Sequence, residues 1–236
     1  MYELGPFFDF ISSLPFIDAT RIAAAKAGNW HFETSIPLGY GLGSSGCLCA
    51  ACYDSFGIPS TDYLVIKEHL AAMEGFFHGT SSGLDPLTIY LNRPLRLSRQ
   101  GIEVLEKPID TSLVRVLDSG IHRNAKVFIG LFKDKKATDS VFQEALSRLD
   151  ALNSAAIERL TNGKSDFDIF QSISALQYDH FQEMIPDIIK PVWRKGLDSG
   201  DFAMKLSGAG GGGCFLLFLN ETNANVTDFG FKVLPV

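Results

Sequence analysis

Glycines and paired serines dominate one stretch of this chain, residues 37–47, which reads Pro-Leu-Gly-Tyr-Gly-Leu-Gly-Ser-Ser-Gly-Cys. Its glycines tolerate positive φ and let a ligand approach the backbone closely. Ser44 and Ser45 come where an apolar helix is predicted to open, and the first N–H groups of a helix have no intrahelical partner. Those N–H groups and the positive end of the helix dipole favour an anion such as phosphate.

Two better-known phosphate loops are excluded by spacing. A Walker A motif requires a lysine directly after its last glycine, and here Ser44 follows Gly43. The dinucleotide fingerprint requires Gly-x-Gly-x-x-Gly, whereas Gly39, Gly41 and Gly43 alternate with single residues. Taken alone, the stretch is also compatible with a flexible surface turn.

Two further stretches carry polar and small residues. Residues 74–86 read Glu-Gly-Phe-Phe-His-Gly-Thr-Ser-Ser-Gly-Leu-Asp-Pro, and residues 205–214 read Lys-Leu-Ser-Gly-Ala-Gly-Gly-Gly-Gly-Cys. Glu74 comes one turn before the predicted end of a helix, where the dipole disfavours a carboxylate. This position suggests a cation as its partner, although solvent would also serve.

The elements that position these stretches follow from hydrophobic periodicity. We expect helices over residues 3–28 (interrupted at Pro15), 48–56, 61–77 with Ser60 as N-cap, 137–160, 167–184, and 186–197 with Pro186 in its first turn. Strands are predicted near Trp30 and over residues 87–91, 95–98, 113–117, 215–219 and 231–234. This mixture favours an α+β fold with two domains, residues 1–110 and 111–236.

Composition narrows the function classes. The 236 residues are 46% hydrophobic, and the net charge of −6 argues against a nucleic-acid partner, which would call for a basic patch. The apolar runs are shorter than the ~18 residues that span a bilayer, so we expect no membrane association. No secretion signal is recognisable at the N-terminus.

The four cysteines, Cys47, Cys49, Cys52 and Cys214, include one Cys-x-x-Cys pair. Redox or metal chemistry is one interpretation of such a pair. No second pair stands at ligand spacing, so small buried thiols on an apolar helix are the favoured interpretation. Reduced thiols fit a cytoplasmic protein.

Together, the three stretches resemble the motifs of the GHMP kinase superfamily, and of its mevalonate kinase branch most of all. Residues 37–45 match Pro-x-x-x-Gly-Leu-Gly-Ser-Ser, and residues 205–214 match the glycine-rich third motif. Residues 74–85 match Glu-x-x-x-His-Gly-x-x-Ser-Gly-x-Asp at every fixed position. The resemblance runs from about Trp30 onward. It implies an ATP-binding N-terminal domain like domain 2 of ribosomal protein S5, and a ferredoxin-like C-terminal domain.

The resemblance also implies roles. It implies a kinase with ATP and Mg²⁺ as cofactors, acting on the primary hydroxyl of mevalonate, with Asp85 accepting the hydroxyl proton and Ser45 and Glu74 holding the metal ion. The resemblance implies a phosphate cradle formed by Gly41, Leu42, Gly43, Ser44, Ser45 and Gly46. It implies an acceptor side formed by His78, Gly79, Ser82, Asp85, Arg123, Gly208, Ala209 and Gly210. His78 is expected to bond within its loop and is not assigned to proton transfer.

Three departures from the family pattern accompany the match. Pro86 stands where many members have Asn, and Gly46 where Ala is usual. The family opens with a motif of the type Pro-Gly-Lys-x-x-Leu-x-Gly-Glu, to which nothing in residues 1–29 is similar. We therefore expect the N-terminal strands of the fold to be absent, as in a fragment, a chain with a misplaced start or a degenerate copy.

Three functions stay open on the sequence. The first is a mevalonate kinase. The second keeps the fold and changes the acceptor to phosphomevalonate, a sugar or an amino alcohol. The third is a non-catalytic nucleotide-binding remnant. The sequence also leaves the oligomeric state open, a homodimer included.

Overall fold

The computed structural model describes residues 4–28, 30–34, 43–98, 100–122, 125–221, 226 and 229–236. They form two compact units, one ending at Lys107 and the other beginning at Pro108. Each unit encloses a hydrophobic cluster of its own. Helices and strands occur in both units, so the predicted α+β class is confirmed.

The first unit is mainly helical. Its elements are α1 (Gly5–Ser12), α2 (Ala19–Ala27), α3 (Ser44–Phe56), α4 (Tyr63–His78), α5 (Leu84–Leu91), β1 (Leu95–Ser98) and β2 (Gly101–Val104). The two strands pair antiparallel as a hairpin. Helices α1 and α2 bury Phe7, Ile11 and Ile22 in the same cluster as α3 and α4. The amino-terminal segment is thus an integral part of this core.

The second unit packs helices on an antiparallel sheet. Its elements are β3 (Val114–Asp118), α6 (Ala125–Thr138), α7 (Ser140–Thr161), α8 (Phe167–His180), a 3-10 helix (Gln182–Met184), α9 (Lys190–Ser199), β4 (Phe202–Leu206), β5 (Cys214–Leu219) and β6 (Lys232–Pro235). The strands follow the order β4-β5-β3-β6.

Side chains of α8 cover the outer edge of β4. The Ser174 hydroxyl accepts the Met204 N–H at 3.0 Å, and the Gln177 side-chain oxygen accepts the Leu206 N–H at 2.9 Å. An uncovered edge strand would present these groups to other chains. Two buried polar residues therefore satisfy the edge of the sheet.

Several sequence predictions of secondary structure are wrong. Residues 87–91 are helical rather than extended, because α5 begins at Leu84 and accommodates Pro86 in its first turn, where no intrahelical donor is lost. Residues 30–34 form no strand. The helix predicted over 137–160 is confirmed as α7 from Ser140 onward, whereas residues 137 and 138 end α6, since Asp139 is extended and caps α7 through Phe142 N.

The starts of two other helices also differ from the predictions. The N-cap of α4 is Asp62, which accepts from Leu64 N, rather than Ser60. Helix α9 begins at Lys190, and Pro191, not Pro186, occupies its first turn. In the described part of the chain, no helix combines the length and the apolar character needed to cross a bilayer.

Candidate active site

Helix α3 begins with the paired serines, as predicted. Gly43 is its N-cap, with a left-handed φ of 74°, and Ser44, Ser45 and Gly46 form its first turn. Gly41 and Leu42 lie outside the described residues. The first-turn N–H groups of α3 therefore follow directly after the glycine-rich stretch, in the arrangement that favours a phosphate group.

Glu74 is the centre of a small hydroxyl cluster. Its side chain projects from α4, and the residue is only 6% exposed. Oε1 accepts a hydrogen bond from Ser45 Oγ at 3.0 Å, and Oε2 accepts one from Ser81 Oγ at 2.5 Å. Within the described residues, Glu74 makes no ion pair. Hydroxyl groups thus compensate a nearly buried carboxylate that has no lysine or arginine partner there.

This donor set fits a magnesium ion. Mg²⁺ prefers oxygen ligands and is commonly held by one or two protein groups together with phosphate oxygens and water. The Glu74 carboxylate and the adjacent Ser45 hydroxyl supply two such oxygens. Among the described residues there is no cluster of three histidine, cysteine or acidic side chains that would hold a metal without a substrate's help.

His78 is the last residue of α4 and is exposed. Its Nε2 lies 3.1 Å from Ser45 Oγ. Gly79 then ends the helix with a φ of 79°. The sequence predicted that His78 bonds within its own loop. The structure instead places it in contact with a serine of α3.

Asp85 lies in the first turn of α5 and is exposed. The positive end of the helix favours a negative charge there. The preceding Gly83 has a φ of 71°, and a Cβ at this residue would lie 2.3 Å from the Lys67 carbonyl oxygen. Ser82 Oγ accepts a hydrogen bond from Leu84 N at 3.3 Å. The entry to α5 is therefore fixed by a glycine that no other residue could replace without backbone movement.

Gly46 allows α3 and α5 to approach closely at their first turns. A Cβ at Gly46 would lie 3.3 Å from Pro86 N and 3.2 Å from Ile89 Cδ1. The two departures from the family pattern, Gly46 and Pro86, thus face each other. Within the first unit, the structure brings together the serines of α3, Glu74, His78 and the start of α5.

The third glycine-rich stretch joins β4 to β5 in the second unit. Ser119, which follows β3, is buried, and its Oγ donates to the Gly213 carbonyl oxygen at 2.7 Å. Gly211 N donates to the Met184 carbonyl oxygen at 2.7 Å, and Gly213 N donates to that of Ile121 at 2.8 Å. These contacts hold the loop at Gly211 and Gly213, in the second half of its glycine run.

The glycines of this loop are required by packing as well as by φ. Gly208 and Gly210 have φ values of 81° and 77°. A Cβ at Gly210 would lie 2.6 Å from the Met184 carbonyl oxygen, and one at Gly211 would lie 1.9 Å from a ring carbon of Phe128. Ala209 lies between Gly208 and Gly210. Arg123 is outside the described residues.

Lys205 begins this third stretch, near the end of β4. Its ammonium group donates to the Leu206 carbonyl oxygen at 3.2 Å, and burial lowers the pKa of this lysine. The lowered pKa reflects the cost of keeping a charge away from water.

None of the four cysteines, all of which the structure describes, forms a disulfide bond. Cys49 and Cys52 are fully buried on α3, and burial raises the pKa of Cys52 to about 12. Burial, with the Glu74 carboxylate nearby, also raises the pKa of Cys49. These thiols are therefore not poised for redox or metal chemistry.

Sequence reasoning missed two side chains of these sites. Ser81 stands at a variable position of the Glu-x-x-x-His-Gly-x-x-Ser-Gly-x-Asp motif, and Ser119 stands outside the three motifs. A serine two residues before a glycine that opens a helix is a weak signal for a turn. Nothing in the spacing indicates that these hydroxyls bond Glu74 or Gly213.

Comparisons with known proteins agree with the motifs. No family model matches the chain. A mevalonate kinase of Dictyostelium discoideum is 24% identical over 93% of the chain and 65% of its own length. A mevalonate kinase of Schizosaccharomyces pombe is 27% identical over 79% of the chain and 52% of its own length. The chain thus spans between half and two thirds of these curated relatives.

Solved structures resemble the fold. The structure of L. major mevalonate kinase in complex with R-mevalonate matches 76% of this chain and 57% of its own length. The TM-score is 0.57 and the sequence identity is 20%. The mevalonate kinase of Staphylococcus aureus MRSA252 matches 87% of this chain and 70% of its own length, with a TM-score of 0.58 and a sequence identity of 23%. The Lin0012 protein of Listeria innocua matches 100% of this chain and 78% of its own length, with a TM-score of 0.62 and a sequence identity of 18%. The resemblance to GHMP kinases, and to mevalonate kinases among them, is confirmed, as is the fold.

Proposed function

We propose that this chain is an ATP-dependent kinase that phosphorylates the primary hydroxyl of mevalonate. The observation that carries the proposal is the contact between the Ser45 hydroxyl and the buried Glu74 carboxylate, beside the first turn of α3. A hydroxyl and a carboxylate at the open end of a helix form a site for a divalent cation and a phosphate chain together. Phosphoryl transfer depends on such positioning and charge neutralisation more than on covalent catalysis.

In this proposal the start of α3 binds the phosphates of ATP. The residues concerned are Gly41, Leu42, Gly43, Ser44, Ser45 and Gly46. Backbone N–H groups of the first turn donate to phosphate oxygens, and the helix dipole offsets their charge. Gly46 keeps this turn against α5 and so sets the distance between the phosphate site and Asp85.

Ser45 and Glu74 would hold Mg²⁺. When bound, the metal ion neutralises charge on the phosphates and orients the transferred group. Glu74 contributes a carboxylate oxygen from a nearly buried position, where no protein cation among the described residues competes for it. His78, at 3.1 Å from Ser45 Oγ, fixes the position of that hydroxyl.

Asp85 is proposed as the general base. Its carboxylate accepts the proton of the acceptor hydroxyl as the oxygen attacks the terminal phosphorus of ATP, whose bond to the bridging oxygen breaks so that ADP leaves. Asp85 lies in the first turn of α5, at the positive end of the helix dipole. The left-handed Gly83 and the bond from Leu84 N to Ser82 fix where this helix starts.

The acceptor side is proposed from the motif match. It comprises His78, Gly79, Ser82, Asp85, Arg123, Gly208, Ala209 and Gly210. Mevalonate carries a carboxylate, for which Arg123 would supply a bidentate cation.

Mevalonate is preferred over other acceptors for two reasons. The motif of residues 74–85 matches the mevalonate kinase branch at each fixed position, and the relatives above carry that name. Release of ADP should be measured with mevalonate, phosphomevalonate, galactose and homoserine in parallel. We expect mevalonate to have the highest kcat/KM. A clear preference for another of the four would overturn the substrate assignment and keep the kinase assignment.

A further inference from the structure

We infer that Ser81 is a positioning residue that orients the Glu74 carboxylate for the metal ion. The inference rests on the proposed function and adds to it a residue that the motif leaves variable. Ser81 belongs to the loop between α4 and α5, seven residues after Glu74. Its hydroxyl bonds the oxygen of Glu74 that Ser45 does not bond.

Both sides of the Ser81 hydroxyl are engaged. Its O–H group donates to Glu74 Oε2 at 2.5 Å, and its oxygen accepts from Gly83 N at 2.9 Å. A hydrogen bond to an ionised group is shorter and stronger than one between neutral groups. The hydroxyl therefore ties the carboxylate to the left-handed glycine that starts α5, the helix that carries Asp85.

Glu74 needs this support because of its length and burial. Its carboxylate group can rotate about a soft terminal torsion, and the side chain is nearly removed from water. Ser45 Oγ bonds only Oε1 and also faces His78 Nε2. If Ser45 turns to a metal ion, Ser81 is the described side chain that still holds the carboxylate in place.

Partners that orient a metal-binding carboxylate typically affect metal affinity by 10–100-fold when they are removed. A serine that only shaped the loop, through Gly83 N, would affect stability instead. Metal affinity and unfolding therefore separate the two roles.

The experiment measures Mn²⁺, used as a Mg²⁺ substitute, by electron paramagnetic resonance in the presence of a non-hydrolysable ATP analogue. The variants are Ser81→Ala, Ser81→Thr, which keeps the hydroxyl, and the control Ser13→Ala, which removes an exposed hydroxyl from the same unit. We expect Ser81→Ala to weaken Mn²⁺ binding by about 10–100-fold. Ser81→Thr should stay within about threefold of the unsubstituted protein, and Ser13→Ala should be unchanged.

The unfolding midpoint of each variant is measured alongside. Unchanged Mn²⁺ affinity in a folded Ser81→Ala protein would overturn the inference and leave the proposed function intact. If Ser81→Ala does not fold, Ser81→Cys, whose thiol donates more weakly, replaces it with the same expected direction, and unchanged affinity there also overturns the inference. A protein that binds no Mn²⁺ with the analogue even when unsubstituted would overturn the proposed function, and the inference with it.

Discussion

Ser45 Oγ on α3 lies 3.0 Å from Glu74 Oε1 on α4, although 29 residues separate them in the chain. Glu74→Gln should therefore raise the Mg²⁺ concentration needed for half-maximal turnover, since a neutral amide is a poorer ligand for a hard cation. A Mg²⁺ titration of ADP release measures the effect. Glu68→Gln, which removes an exposed carboxylate from the same helix, is the control and should leave the midpoint unchanged. An equal midpoint in both variants would show that Glu74 has no role at a metal ion.

Ser174 is expected to stabilise the second unit. Its buried hydroxyl accepts from Met204 N at 3.0 Å and from the Trp193 indole nitrogen at 2.8 Å. Ser174→Ala leaves two buried donors unsatisfied and should lower the free energy of unfolding by about 2–4 kcal/mol. Ser172→Ala, on an exposed position of the same helix, should change it by less than about 0.5 kcal/mol. Urea denaturation compares them, and similar losses would contradict the edge-covering role of α8.

Gly211 is expected to be irreplaceable because of Phe128. Gly211→Ala combines a φ of 79° with a clash against the ring, whereas Gly163→Ala, at a φ of 69°, meets no neighbour within 4 Å. Gly163→Ala should lower the free energy of unfolding by about 1–2 kcal/mol, and Gly211→Ala should lower it by about 2–5 kcal/mol. In a Phe128→Ala background the cost of Gly211→Ala should fall to that of Gly163→Ala. A double-mutant cycle measures this, and strict additivity would rule out the packing explanation.

His69 makes the first unit sensitive to acid. Its ring stacks on Phe16 at 3.9 Å between centroids, Nδ1 lies 3.0 Å from Tyr53 Oη, and burial lowers its pKa. Since the folded pKa lies below that of the unfolded chain, about 6.5, the unfolded state binds more protons between the two values. The contribution of His69 to the free energy of unfolding is therefore fully present above about pH 6.5. It is lost as the pH falls from there through the folded pKa.

The test compares the pH dependence of unfolding with that of His69→Gln. We expect the loss of unfolding free energy between pH 7 and pH 5 to be smaller in the variant. Parallel curves for the two proteins would mean that His69 has no share in the acid sensitivity.

The sequence predicted the positions of the glycine-rich stretches and the start of α3 because glycine and serine spacing determines them locally. The strand predicted over residues 87–91 is wrong because the residue types there, Leu, Thr, Ile and Tyr, are common in strands as well as in helices. In the fold, α5 packs against α3, and Gly46 leaves room for Pro86 and Ile89 in this tertiary contact. A local pattern contains no trace of that contact.

Contacts between distant residues account for the rest of what the sequence left out. Ser119 bonds Gly213 across 94 positions, and Ser174 bonds Met204 across 30. Their hydroxyls satisfy backbone groups at a sheet end and a sheet edge. A serine in the sequence is compatible with many such roles, and only the fold selects one.

Turnover of Asp85→Asn with ATP and mevalonate is the most direct test of the proposed mechanism. The amide cannot accept the hydroxyl proton, so kcat should fall by about 10²–10⁴-fold while ATP binding changes little. Asp54→Asn, which removes an exposed carboxylate from α3, is the matched control and should keep full turnover. Near-normal turnover in Asp85→Asn, measured beside a fully active Asp54→Asn, would contradict the assignment of Asp85 as the base.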